Sequence, residues 1–143
     1  MALRRVAPMS IVVADDDEDV RALVVATLCD DGHAVREAAN GEELLLVLEE
    51  TMDDPIRRPD VVVCDVRMPR LSGLGVLAAL QRAHLSCPVV LMTVLADESI
   101  ESVARSLGAL GVLHKPFDVD DLRTAVMNAT LSFAMRDSRR GAP

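Results

Sequence analysis

Aromatic side chains are nearly missing from this chain. Of its 143 residues none is Trp or Tyr, and only Phe117 and Phe133 are Phe. That excludes the stacking platforms on which single-stranded nucleic acid is held. Positive charge is also short, with 15 Lys and Arg against 23 Asp and Glu and a formal net charge of -8. A chain of this balance has no non-specific electrostatic grip on nucleic acid or on an anionic membrane. We therefore expect no direct nucleic-acid binding and no membrane partner. Cysteine is limited to Cys29, Cys64 and Cys87, far apart and without a C-x-x-C pair. This argues against a disulfide framework or a cysteine-rich zinc site. Each cysteine reads as a small buried residue in a reducing compartment. No apolar run approaches the length of a membrane span. Arg4 and Arg5 precede an apolar stretch, but Pro8 and Ser10 interrupt it and no A-x-A cleavage pattern follows. The expected location is the cytoplasm.

What is present is a core. Half of the chain is hydrophobic, and this length is that of a single domain. Short apolar runs alternate with amphipathic stretches. Ser10-Ile11-Val12-Val13-Ala14 reads as a buried strand ending in Asp15-Asp16-Asp17. Val20, Leu23, Val24, Thr27 and Leu28 then follow helical spacing, and Asp31-Gly32 stops them. His33 to Ala38 is a weaker strand, and Asn40 caps a helix through Glu50. Val61 to Cys64 is the clearest strand and ends at Asp65. A loop marked by Met68-Pro69 and Gly73 leads to a helix reaching about Ala83. Pro88 to Met92 is a strand ending at Thr93, and the helix after it stops at Gly108. Leu110 to His114 is a strand ending at Lys115-Pro116. The last helix starts near Asp118 and fades near Phe133. Strand–helix alternation of this kind builds an α/β fold, a parallel sheet with helices on both faces. The expected divisions are an extension over 1–8, one domain over 9–131 and a frayed tail over 132–143.

In such sheets ligands sit beyond the carboxyl ends of the strands. Those ends carry Asp15 and Asp16, Asp65, Thr93 and Lys115. Three converging carboxylates repel one another and call for a cation. Mg2+ suits them, because it takes oxygen ligands and keeps several waters. Charges of about -3 from the acids, +2 from the metal and +1 from Lys115 leave the site close to neutral. A carboxylate beside a metal and a lysine can act as a nucleophile toward phosphorus, a reaction that needs mainly positioning and charge stabilisation.

These residues carry a resemblance. Val12-Val13-Ala14-Asp15-Asp16-Asp17, Val63-Cys64-Asp65-Val66-Arg67-Met68-Pro69, Met92-Thr93 and Lys115-Pro116-Phe117 resemble, in order and spacing, the motifs of response-regulator receiver domains of two-component signalling. The resemblance covers roughly residues 9–131. It implies a flavodoxin-like fold with five parallel strands in the order 2-1-3-4-5. It implies that Asp65 accepts a phosphoryl group from a phosphohistidine on a sensor histidine kinase or phosphotransfer protein. Asp16, Asp65 and the backbone carbonyl of Arg67 would ligate Mg2+, with Asp15 acting largely through water. Thr93 would meet a phosphoryl oxygen, and Lys115 would pair with the acceptor and precede a cis proline. The implied function is a phosphorylation-controlled switch acting on a downstream protein target or effector domain. It would not be an enzyme beyond its own phosphorylation and autodephosphorylation.

Two positions depart from the family pattern. Val112 stands where receivers usually carry Tyr or Phe, which removes the aromatic readout, and Val94 stands where a small residue leaves the pocket open. They motivate a second reading, an interaction module acting without phosphorylation. A third reading is a metal-dependent phosphatase with an aspartyl nucleophile, suggested by Asp15-x-Asp17. Asp19 stands where that class expects Thr or Val, and the length leaves no room for a cap. A calcium loop fails at Val20 and Ala26, its glycine and glutamate positions. Asp17, Glu18 and Asp19 read as helix-terminal charges rather than ligands. His33, His84 and His114 read as surface or packing residues. A homodimer, if formed, is expected on the face of the fourth helix, fifth strand and fifth helix, with Glu101, Arg105, Asp121 and Arg123 as contacts. A stand-alone receiver and one joined to an effector both remain open.

Overall fold

The computed structural model describes residues 7–94 and 98–140. Ten elements alternate along the chain: β1 (Ser10–Ala14), α1 (Glu18–Asp30), β2 (Ala34–Ala38), α2 (Gly41–Thr51), β3 (Val61–Asp65), α3 (Gly73–Arg82), β4 (Val89–Thr93), α4 (Glu98–Ser106), β5 (Gly111–His114) and α5 (Val119–Arg140). The strands are parallel and lie in the order β2-β1-β3-β4-β5. Two β-branched runs fix the centre of the sheet. All five residues of β3 and all five of β4 are buried, as strands covered on both faces must be.

The period-two alternation of the strands sends residues into two separate cores. Val12, Ala14, Val62, Cys64 and Leu91 meet Leu44, Leu48, Val76 and Leu80 on the face covered by α2 and α3. Ile11, Val13, Val61, Val63, Val90 and Met92 meet Val24, Leu28, Leu122 and Val126 on the face covered by α1 and α5. A one-residue slip of β3 would exchange Val63 with Cys64 and point Asp65 into a core, so packing on both faces locks its register.

Local chemistry sets the ends. The Asp17 carboxylate caps α1, accepting from the backbone N–H of Asp19 and Val20. Asn40 caps α2 through the N–H of Glu43 at 2.8 Å, and Ser72 caps α3 through that of Gly75 at 3.1 Å. Gly32, at φ 92°, follows the end of α1 in a conformation that costs glycine little.

Two expectations change, the end of α5 and the burial of Cys29. α5 does not fade near Phe133 but continues to Arg140. Nothing between 119 and 140 is Gly or Pro, and Ala, Met, Leu and Arg in its last turns are good helix formers. The polar composition that suggests fraying is equally that of an exposed helix. The expected N-terminal extension falls largely on residues outside those described, as does the end of the expected tail. Cys29 is exposed, unlike the buried Cys64 and Cys87, because it lies on the outer side of α1.

Candidate functional site

The carboxyl ends of β1, β3, β4 and β5 bring the predicted residues together. Asp15 follows β1, Asp65 ends β3, Thr93 ends β4, and Lys115 follows β5. Asp15, Asp65 and Thr93 are buried, at 0%, 5% and 5% exposure, while Asp16 is exposed. One carboxylate oxygen from each of Asp15, Asp16 and Asp65 lies within 4.8 Å of the others. Burial of this kind is costly for an acid unless a cation or donor answers it.

Lys115 supplies the nearest answer. Its Nζ lies 2.8 Å from Asp15 Oδ2 and 3.4 Å from Asp65 Oδ2. The ammonium therefore sits between the two acids and closer to Asp15. Asp15 Oδ1 accepts the Asp17 N–H at 3.0 Å, so both oxygens of Asp15 are engaged within the protein. Asp65 differs. Its Oδ1 is the one buried side-chain oxygen without a hydrogen-bond partner among the described residues. Burial and the nearby Asp15 charge raise the Asp65 pKa above the usual aspartate range, although Lys115 and the Arg67 backbone pull it down. For Lys115, burial works against the charged form, but hydrogen bonds and charges from Asp15 and Asp65 outweigh it and raise its pKa.

The residues fit a hard divalent cation. An orphaned, buried carboxylate oxygen and an exposed carboxylate beside it offer ligands to an ion that retains water, and the third acid is already neutralised by Lys115. Arg67 stands two residues beyond Asp65 with its side chain exposed.

The backbone behind Asp65 is tight. A Cβ on Gly73 would lie 2.5 Å from the Asp65 carbonyl oxygen and 3.1 Å from Cys64 Sγ. The Gly73 N–H donates to the Val66 carbonyl at 2.9 Å. Glycine at the start of α3 thus lets the helix close against the end of β3. On the opposite side the Lys115 N–H donates to the Thr93 carbonyl at 2.7 Å, joining two site residues through the sheet. The Lys115–Pro116 bond is cis.

Other expected positions fall as follows. Val112 is half-buried against the core under α4, and Val94 is 60% exposed beside Thr93. His33 Nδ1 accepts the Met9 N–H at 3.0 Å, a packing role. His114 is exposed and lies 4.0 Å from Glu101. The four charged residues expected at a dimer face already have partners within the chain. Glu101 faces Arg105 at 3.5 Å, Arg123 donates to Asp31 at 2.8 Å, and Asp121 exchanges capping bonds with Asp118. A residue that sequence reasoning missed is Arg21, whose Nη1 donates to the Asp15 carbonyl at 2.6 Å.

Known proteins resemble this chain in sequence and in fold. Residues 11–127 match the family model described as response regulator receiver domain. The DNA-binding transcriptional regulator NtrC of Klebsiella pneumoniae is 30% identical over 131 residues, covering 92% of this chain and 27% of that protein. The transcriptional regulatory protein PdtaR of Mycobacterium tuberculosis is 29% identical over 127 residues, 88% of this chain and 58% of its own. The chain thus spans about a quarter of the first relative and somewhat over half of the second. Among solved structures, the chemotaxis protein CheY4 of Vibrio cholerae superposes with a TM-score of 0.76 at 27% identity, over 86% of this chain and 99% of that one. NtrX of Brucella abortus gives 0.80 at 28%, over 92% and 29%. Matched motifs, strand order and a family model spanning most of the sequence leave the phosphatase reading without support, and the chain belongs to the response regulator receiver domain family.

Proposed function

We propose that this receiver is switched by a phosphoryl group carried on Asp65. The observation that supports this reading is the unpartnered buried Asp65 Oδ1 next to an oxygen paired with Lys115. The other polar side chains of the site are committed or face solvent, whereas this oxygen has no hydrogen-bond partner among the described residues. One oxygen of the Asp65 carboxylate would attack the phosphorus of a phosphohistidine on a sensor kinase or phosphotransfer protein, the other being left to the cation. A P–O bond forms, the P–N bond breaks, and the imidazole leaves with the bonding pair and takes up a proton. The product is an acyl phosphate on Asp65.

Asp16 and Asp65 would hold Mg2+, with the Arg67 carbonyl completing the protein ligands and Asp15 contributing through water. Bound there, the ion supplies Lewis-acid stabilisation of charge on the phosphoryl oxygens. Lys115 would move from Asp15 toward the phosphoryl group, and the Thr93 hydroxyl would meet a second oxygen. The downstream target or effector domain would read the loops after β3 and β4. Val112 supports that emphasis, since a β-branched side chain has one restricted χ angle and cannot swing as an aromatic ring can. A cytoplasmic setting belongs to the same proposal and is supported by three unpaired cysteines. No helix of the described residues is long and apolar enough to cross a membrane.

The test is incubation with a small-molecule phosphodonor and Mg2+, followed by intact mass. The expected result is one phosphoryl adduct that needs Mg2+ and is absent in Asp65→Asn. An adduct of equal yield in that variant refutes the assignment. No adduct in the wild type favours the interaction-module reading.

A further inference from the structure

Arg21 occupies an unusual place for a surface arginine. It lies in the first turn of α1, and its side chain is 16% exposed. Nη1 donates to the backbone carbonyl of Asp15 at 2.6 Å, and Nε donates to Glu37 Oε1 at 3.1 Å. The guanidinium therefore ties three elements: the end of β1, the start of α1 and the end of β2.

The geometry explains why a donor is needed there. The Asp15 N–H still bonds across the sheet, to the Ala38 carbonyl at 3.2 Å. In a parallel ladder the Asp15 carbonyl would next take the N–H of residue 40. β2 ends at Ala38, however, and Asn40 has turned away to cap α2. The Asp15 carbonyl is the last one on β1's side of the pocket, and its peptide leads directly to Asp16. Holding that carbonyl fixes the plane of the Asp15–Asp16 peptide. That plane sets the direction in which the Asp16 carboxylate leaves the chain, and it keeps Asp15 within reach of Lys115.

We infer that Arg21 is a positioning residue for the cation pocket: by clamping the Asp15 carbonyl it aims Asp16 at Asp65. This rests on the reading of Asp16 and Asp65 as Mg2+ ligands. Groups that orient metal ligands without touching the metal are worth about ten- to a hundredfold in affinity.

Charge and positioning predict opposite signs, which makes the inference testable. Arg21 is a cation near an acidic site, so by charge alone its removal strengthens binding of a divalent cation. By positioning, its removal weakens binding. Because the chain lacks Trp, Mg2+ titration is best followed by amide NMR at residues 15–17, with thermal unfolding run on the same samples. The expected result is affinity lowered about tenfold or more in Arg21→Ala. Arg21→Met, which keeps the packing of the stem, should fall equally. Arg21→Lys, with one donor centre in place of a fork, should recover part of the loss. If Arg21→Ala does not fold, Arg21→Met and Arg21→Lys carry the comparison. Equal or tighter binding in folded Arg21→Ala or Arg21→Met overturns the inference and leaves the metal site standing. No Mg2+ binding in the wild type overturns the metal site, and the inference with it.

Discussion

Lys115 separates two buried acids, and removing it leaves them facing each other. In Lys115→Met the side chain keeps its length but loses the ammonium that lies 2.8 Å from Asp15 and 3.4 Å from Asp65. Asp15 is 0% exposed and retains only the Asp17 N–H. Breaking a buried pair from one side costs about 3–5 kcal/mol, because the remaining charge has no partner. That is a large share of the ~5–15 kcal/mol available to a domain. With a urea slope near ~2 kcal/mol/M the midpoint should fall by about 1.5–2.5 M. The loss has a signature in pH. The Lys115 pKa is raised in the fold, so its contribution is complete below the ordinary lysine value and disappears as pH rises through the folded one. Wild type and variant should therefore differ most at neutral pH and converge in strong base. They should also converge in acid, where the carboxylates protonate and need no cation. Urea unfolding at neutral pH, mildly acidic pH and high pH measures this directly. A loss under ~1 kcal/mol at neutral pH, the scale of an exposed ion pair, would refute the reasoning.

Three further outcomes follow from the same geometry. Asp65 has a raised pKa, so the favourable neutral form is complete below the ordinary aspartate value and is lost as pH rises through the folded one; Asp65→Asn should therefore be more stable than wild type at neutral pH without divalent cation, the gap closing in acid, as urea midpoints will show. Asp16→Ala removes a direct ligand and should weaken Mg2+ by more than the ~10-fold scale of outer groups; an unchanged titration contradicts its role. Gly73→Ala places a Cβ 2.5 Å from the Asp65 carbonyl oxygen, and should cost about 1–3 kcal/mol in thermal unfolding as the start of α3 shifts; a neutral substitution would mean that the approach is loose.

Much of this site is legible in the amino-acid order alone. Strand ends can be read because Val61 to Cys64 can only be a buried strand, and the first polar residue after it is Asp65. Helix starts can be read where Asp17 and Asn40 carry their own capping chemistry. What the order of residues does not carry is set by distance or by company. Lys115 and Asp15 are 100 residues apart, and nothing in their local patterns says that the lysine lies closer to Asp15 than to Asp65. Arg21 sits at a helical position where an arginine is ordinarily solvated, and only the early end of β2 gives it a carbonyl to hold. The segment beyond Phe133 differs from expectation for another reason. Its composition is polar, which suits an exposed helix as well as a frayed end, and hydrophobic periodicity cannot separate the two. For Cys29, residue type alone favours burial, whereas its place on α1 decides its exposure.

The acceptor can be located chemically. After treatment with a small-molecule phosphodonor and Mg2+, borohydride converts an aspartyl acyl phosphate to homoserine while leaving free carboxylates unchanged. Peptide mass mapping of the reduced protein then reads the position. The expected result is homoserine at residue 65 alone, formed only with phosphodonor and Mg2+ both present. Homoserine at Asp15 or Asp16, or an unmodified Asp65 in protein that carries the phosphoryl mass, would contradict it.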